Sequence, residues 1–235
     1  MTIISFDLNV EHSMSRDALS NWLEYINTFS GIKSRDPRTV DNFITDLTGI
    51  EITQYHCYTN SCMAYTGRYQ DLDKCKFCQH KRYKQNGKPF QTFEYIPVIP
   101  RIRIQYSDFH RARTFQTYRK EVVEDSNKNV GMMFDFWNGT LFNKLQEQGL
   151  FKEDTDLGFF CSSDSVHLFK SRTNFAIWSI MLLNLNLPPD ERVKLENIIL
   201  CSFVPGPKNP QDLDSYMHPL VQEFILLQSK SGVQV

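Results

Sequence analysis

Cys57, Cys62, Cys75 and Cys78 follow the pattern C-x4-C-x12-C-x2-C and account for four of the six cysteines in a chain of 235 residues. Zn²⁺ takes four thiolates in tetrahedral geometry, and two short cysteine pairs with one loop between them bring four sulfurs together at little cost in chain entropy. Disulfides are the competing use of such a cluster. They belong to oxidising compartments, whereas the opening MTIISFDLNV has neither the basic flank nor the long apolar core of a secretory signal. The pattern therefore reads as a structural zinc site with these four cysteines as ligands. His56 and His80 flank the pairs and could substitute, but read better as ordinary polar neighbours. Cys161 and Cys201 sit in apolar strand contexts and read as small core residues.

A second chemistry lies in the charge. The net charge of −1 hides an asymmetry: between Lys74 and Lys120, twelve Lys and Arg face only Glu94 and Asp108, while the rest of the chain holds fourteen basic and twenty-five acidic residues. Cations can track phosphates, and the interleaved Tyr83, Phe90, Tyr95, Tyr106, Phe109, Phe115 and Tyr118 can stack on bases. Lys81, Arg82, Lys84, Arg101, Arg103, Arg111, Arg113, Arg119 and Lys120 are the candidate nucleic-acid contacts. The alternative is a basic surface that packs on acidic parts of the same molecule.

The elements that must hold these groups are legible in outline. A content of 41% hydrophobic and 13% aromatic residues argues for a globular protein, and the longest apolar stretch, Ala176 to Leu187, is broken by Ser179, Asn184 and Asn186, too short and too polar for a membrane span. Ser15 caps a first helix with Leu19, Trp22, Leu23 and Ile26 on one face and Gly31 past its end; Asp36 and Pro37 open a second, striped by Val40, Phe43, Ile44 and Leu47 and stopped by Gly49. Ile50 to Tyr55 is extended, Thr66 to Tyr69 is a turn, and Pro89, Pro97 and Pro100 keep the next segment extended until Ser107 starts a helix carrying the arginines. Asp125 to Val130 reads as a loop. Phe159 to Phe169, Phe175 to Leu187 and Asn197 to Val204 read as three strands of an antiparallel meander, followed by a helix with Met217, Leu220, Val221, Phe224 and Ile225 on one face, in which Pro219 is tolerable only near the first turn.

Four spaced phrases resemble one family, the transposases of CACTA (En/Spm-type) DNA transposons. HCYTNSCMAYTGRYQDLDKCKFCQHKRY resembles its two cysteine pairs around a Tyr-Gly turn closed by Arg-Tyr, here Arg82-Tyr83. YIPVIPRIRIQY resembles its proline-arginine phrase, and LGFFCSSDSVHLF its strand bearing the first catalytic aspartate. NLNLPPDERVKLENIILCSFVPGPKNPQDLDSYMHPLVQEF resembles its long block of NLPP, a strand, PGP and a leucine-aspartate. The resemblance spans roughly residues 50 to 235.

This resemblance implies an RNase H-like core whose acids hold two divalent ions for DNA strand cleavage and joining, with Asp164 as the first acid; Ser165 stands where the family usually has glycine. Mg²⁺ or Mn²⁺ would enter only with the complete set of carboxylates. Val235 falls just after the first core helix, so the expectation is an incomplete, DDE-type core. Asp212 and Asp214 fit helix capping better than catalysis.

The expected fold is thus α+β: an N-terminal helical region (1–53), a zinc ribbon or knuckle (54–84), a basic and aromatic connecting region with a helix (85–155), and the first half of an RNase H-like fold (156–235). The expected function is that of a transposase-derived, zinc-stabilised DNA-binding protein, nuclear by the same resemblance, with DNA, a second copy or a full-length transposase as partners. The alternative is a non-catalytic zinc-containing module that binds nucleic acid or protein.

Overall fold

The computed structural model describes residues 45, 46, 48–128, 131–167, 176–206 and 209–229. The chain divides into two compact units, Met1–Glu51 and Ile52–Val235. The two expected N-terminal helices lie outside the described residues except at the end of the second. There Thr45, Asp46 and Thr48 are helical, and Gly49 adopts φ 65°, the left-handed conformation that stops a helix.

Within the second unit, five strands form one antiparallel sheet in the order β1-β2-β5-β4-β3: β1 (Thr53–Cys57), β2 (Gln91–Tyr95), β3 (Phe159–His167), β4 (Ala176–Asn184) and β5 (Ile199–Gly206). The meander β3-β4-β5 is the one expected from the sequence. Asp164 pairs with Ser179, and Ser179 with Phe203. Between β4 and β5 the register shifts at Ile180/Met181, leaving Cys201 as the extra residue of a bulge. The β1-β2 hairpin extends the sheet beyond β5, and Tyr55 and Phe93, opposite each other in the register, stack with ring centroids 5.6 Å apart.

Five helices accompany the sheet among the described residues: α1 (Ile99–Ser107), α2 (Phe109–Lys128), α3 (Thr140–Glu147), the single turn α4 (Pro189–Arg192) and α5 (Leu213–Leu227). Three expectations change here. The segment around Pro100 is helical, because a proline in the first turn of α1 forgoes a hydrogen bond that no residue there could make. α2 starts from Asp108, whose carboxylate accepts the Arg111 amide at 2.7 Å, and continues through Lys128, where a loop was expected. Pro219 sits mid-helix in α5 and not in its first turn.

One face of the sheet carries the main core. Phe93 and Tyr95 of β2, Ile180 and Leu182 of β4, and Ile199 and Val204 of β5 pack with Ile102 of α1 and Tyr216 and Leu220 of α5. Glu223 of α5 joins the two helices, accepting the Val98 and Ile99 amides at 2.6 and 3.3 Å at the start of α1, as well as the Tyr95 hydroxyl. Trp137, Phe142, Val122 and Leu185 form a second core. Gly158 is required beside it, since a Cβ there would lie 2.7 Å from the Trp137 ring. The polar residues that interrupt the apolar run of β4 are structural. Asn186, fully buried, donates to the carbonyls of Phe115 and Asp156 and accepts the Gly158 amide.

Candidate metal centre and basic surface

Each cysteine pair is closed by a tight turn that ends in a left-handed residue. In the first, the Ser61 amide donates to the Tyr58 carbonyl at 2.9 Å and Ser61 takes φ 57°. In the second, the Gln79 amide donates to the Cys75 carbonyl at 2.9 Å, Gln79 takes φ 60°, and the Cys75 amide donates to the His80 carbonyl at 2.8 Å. Non-glycine residues in this region cost conformational energy that surrounding structure must offset. The turns aim Cys62, Cys75 and Cys78 at one point, and their three sulfurs lie within 4.8 Å of one another. Tetrahedral Zn–S bonds of about 2.3 Å place sulfurs nearly 4 Å apart, so three thiolates at this spacing can hold one ion.

The electrostatics suit a thiolate trio. Burial opposes ionisation of Cys78, but the His80 amide and the Cys75, Cys62 and Tyr58 side chains bonded to its sulfur outweigh it and hold its pKa below the usual thiol range. Burial raises the Cys75 pKa, opposed by the Cys78 and Phe77 amides on its sulfur. Cys62 is pushed up to about 12, by burial first and then by the charges of Cys75 and Cys78. One thiol held below the usual range beside two held above it is a set to which a divalent cation would supply positive charge.

The fourth cysteine of the pattern is placed differently. Cys57 ends β1, buried in the main core beside Tyr216, with its thiol pushed up to about 12 by burial, an effect that Tyr216 counters. It is not one of the clustered trio. Neither flanking histidine joins the trio: His56 Nδ1 accepts the Arg82 Nε–H at 3.0 Å, and His80 packs against Tyr58 and Phe90 with Nδ1 3.0 Å from the Lys81 carbonyl. Of the remaining cysteines, Cys201 is buried in the core as expected. Cys161 is instead exposed, because β3 is an edge strand.

The cysteine module is bound to the core by a row of polar contacts that the sequence did not reveal. Asp212 caps α5 by accepting the Ser215 amide at 3.2 Å, and the same carboxylate accepts the Tyr69 hydroxyl at 2.7 Å and the Arg68 guanidinium at 2.8 Å. Its amide donates to the Cys62 carbonyl at 3.0 Å. Ser215 Oγ accepts the Ala64 amide at 2.9 Å, the Ser215 carbonyl accepts the Thr66 hydroxyl, and the Ser61 hydroxyl donates to the Pro205 carbonyl at 2.9 Å. The signal available was the capping position of Asp212, and nothing local linked it to Tyr69 or Arg68.

The nine basic residues separate into two groups. Arg82 holds the module together, donating to His56, to the Gln70 carbonyl at 2.6 Å and to the Leu72 carbonyl at 3.3 Å, while lying over the Tyr65 and Tyr83 rings. Arg101 donates to the carbonyls of Pro97, Leu200 and Ile96. Arg111 reaches Asn197 Oδ1 at 2.6 Å, and Lys120 pairs with Asp154 at 2.6 Å. Arg119 is buried over Trp137 and Phe151 and donates to the Glu153 carbonyl. The side chains of Lys81, Arg103 and Arg113 make no hydrogen bond or ion pair among the described residues, and Lys84 lies only over the Phe90 ring. Around the module, Phe77 and Tyr83 stand 44% and 36% exposed among these cations.

Asp164 lies at the centre of β3, exposed, with Oδ1 accepting the Ser165 amide at 2.7 Å. Among the described residues, no cluster of three potential ligands includes it. No described helix is long and apolar enough to cross a membrane.

Residues 141–235 match the model of a family described as Transposase family tnp2. That stretch contains α3 from its second residue on, the β3-β4-β5 meander with Asp164, and α5, so this part of the chain is similar to a transposase family. The cysteine phrase and the proline-arginine phrase lie ahead of the matched residues. No curated protein and no solved structure matches the chain.

Proposed function

We propose that this chain is a transposase-derived protein of the CACTA (En/Spm-type) group that is stabilised by zinc and binds DNA through a basic surface. The observation that carries this reading is the transposase family match over 141–235, which falls on three antiparallel strands followed by a helix. That order is how an RNase H-like core begins, and Asp164 then stands as its first acid, on the strand at the edge of the sheet among the described residues.

Two-ion strand transfer needs several carboxylates around the reacting phosphate. Among the described residues Asp164 has no such companions, and on this reading the chain binds DNA without cutting it. Zn²⁺ is held by Cys62, Cys75 and Cys78, with Cys57 as the fourth ligand, in a closed site that stabilises the fold. Lys81, Lys84, Arg103 and Arg113 meet phosphates, and Phe77 and Tyr83 stack on bases. DNA, a second copy or a full-length transposase are the partners, in the nucleus.

A second reading, a non-catalytic zinc module repurposed for protein binding, draws support from Met132, Met133, Phe134 and Leu141, which stand 49 to 75% exposed. Titrating duplex and single-stranded DNA across a salt series separates the two. DNA binding that weakens steeply with salt is expected, with no cleavage in Mg²⁺ or Mn²⁺; absence of binding at low salt would leave the second reading, and cleavage abolished by Asp164→Ala would overturn the inactivity.

A further inference from the structure

Two buried hydroxyls beside the cysteines have no partner. Tyr216 Oη and Tyr65 Oη both lie out of reach of solvent without a hydrogen-bond acceptor. Tyr216, fully buried, packs its ring on Phe93 at 5.0 Å in the cluster that also holds Cys57 and Ala64. Tyr65 packs in the cluster that holds Cys62 and Cys75. Besides burial, the groups that act on these hydroxyls are mainly sulfurs, Cys57, Cys62 and Cys75 on Tyr216 and Cys75, Cys78 and Cys57 on Tyr65, where the Arg82 guanidinium over the ring opposes them. A neutral thiol is a weak acceptor. A metal-bound thiolate carries charge and accepts strongly.

We propose that the Tyr216 and Tyr65 hydroxyls donate hydrogen bonds to the thiolates of the metal centre, Tyr216 to Cys57 and Tyr65 to Cys75, as positioning residues satisfied only when metal is bound. The inference rests on the zinc reading above. It accounts for the placement of Cys57 in the core: the sulfur that stands apart from the clustered trio is the one that a core helix can reach. Tyr216 follows Ser215 in α5, so its O–H···S bond continues the row of contacts made by Asp212 and Ser215 and carries metal occupancy into that helix. Loss of groups that orient metal ligands weakens affinity about 10- to 100-fold.

The test uses the full chain loaded with Zn²⁺ or Co²⁺. Tyr216→Phe and Tyr65→Phe should each lower Zn²⁺ affinity about tenfold in chelator competition. They should also move the thiolate-to-cobalt charge-transfer band to lower energy, since sulfurs that lose a donor become more electron-rich. Tyr106→Phe, whose hydroxyl is 3.5 Å from the Thr155 carbonyl on an exposed surface, should change neither. Should either variant fail to fold, wild-type chain made with 3-fluorotyrosine, a stronger donor of nearly the same volume, should show the band at higher energy. Unchanged affinity and band in folded variants, or no shift with fluorotyrosine, would overturn the inference while leaving the zinc site standing. Wild-type chain that binds no metal would overturn both.

Discussion

The Thr66 hydroxyl donates to the carbonyl of Ser215, the carbonyl that the backbone nitrogen of Pro219, four residues along α5, has no hydrogen to reach. A proline at the seventh position of a helix ordinarily leaves such a carbonyl orphaned and the helix kinked. Here the acceptor is served from outside by the cysteine module, with Thr66 and Pro219 both buried so that water is no substitute.

Thr66→Val keeps the shape and removes the donor, so it should destabilise the folded chain by about 1–3 kcal/mol, the cost of a buried unpaired acceptor. Pro219→Ala restores an N–H to the same carbonyl. In a double-mutant cycle by denaturant unfolding, Pro219→Ala should therefore recover part of the loss caused by Thr66→Val. Strict additivity of the two changes would show that they do not share the acceptor.

Arg192 and Asp135 form a buried ion pair at 2.8 Å, with the carboxylate essentially inaccessible; Tyr118 donates to the same oxygen at 2.8 Å and Arg192 also donates to the Leu187 and Leu185 carbonyls. Removing one member leaves a charge in a dry site, so Arg192→Met should cost about 3–5 kcal/mol, while replacing both members with apolar residues should cost much less. Thermal unfolding of the single and double variants reads this out, and equal costs would contradict it.

The sequence carried the meander because each strand is a long β-prone run punctuated by Pro-Pro or Pro-Gly-Pro, and it carried the cysteine turns because their spacing is local. It did not reveal β2, a five-residue strand that exists through its pairing with β1 and β5, nor the fate of Arg101 and Arg119. A basic residue looks the same in sequence whether it faces phosphate or, like Arg119, lies over Trp137; only tertiary packing decides. Pro219 was misplaced for a related reason. The partner that makes it tolerable in mid-helix is about 150 residues away in sequence.

That division of the arginines predicts two phenotypes. Arg119→Ala should lower stability, through loss of its stacking on Trp137 and its bond to the Glu153 carbonyl, and leave the salt dependence of DNA binding unchanged in the protein that remains folded. Lys81→Ala, Lys84→Ala and Arg113→Ala should unfold at the wild-type midpoint and each reduce the slope of log affinity against log salt by about one. Affinity lost with Arg119 but not with the lysines would place the DNA surface elsewhere.

Metal removal should act on the core as well as on the module. The contacts from Ser61, Ala64, Thr66, Arg68 and Tyr69 to Pro205, Asp212 and Ser215 all come from the segment that begins at the first cysteine pair. Without an ion to join the sulfurs, only the backbone hydrogen bonds of the two turns remain to offset the positive φ at Ser61 and Gln79. Chelation of the zinc-loaded chain should therefore raise amide hydrogen exchange across residues 57–83 and in the first turns of α5, where Asp212 caps the helix and Thr66 serves Ser215. It should leave α3 and its packing on Trp137 protected, because that core shares no residue with the module. Faster exchange confined to 57–83, with α5 unchanged, would show that the capping network holds without the metal.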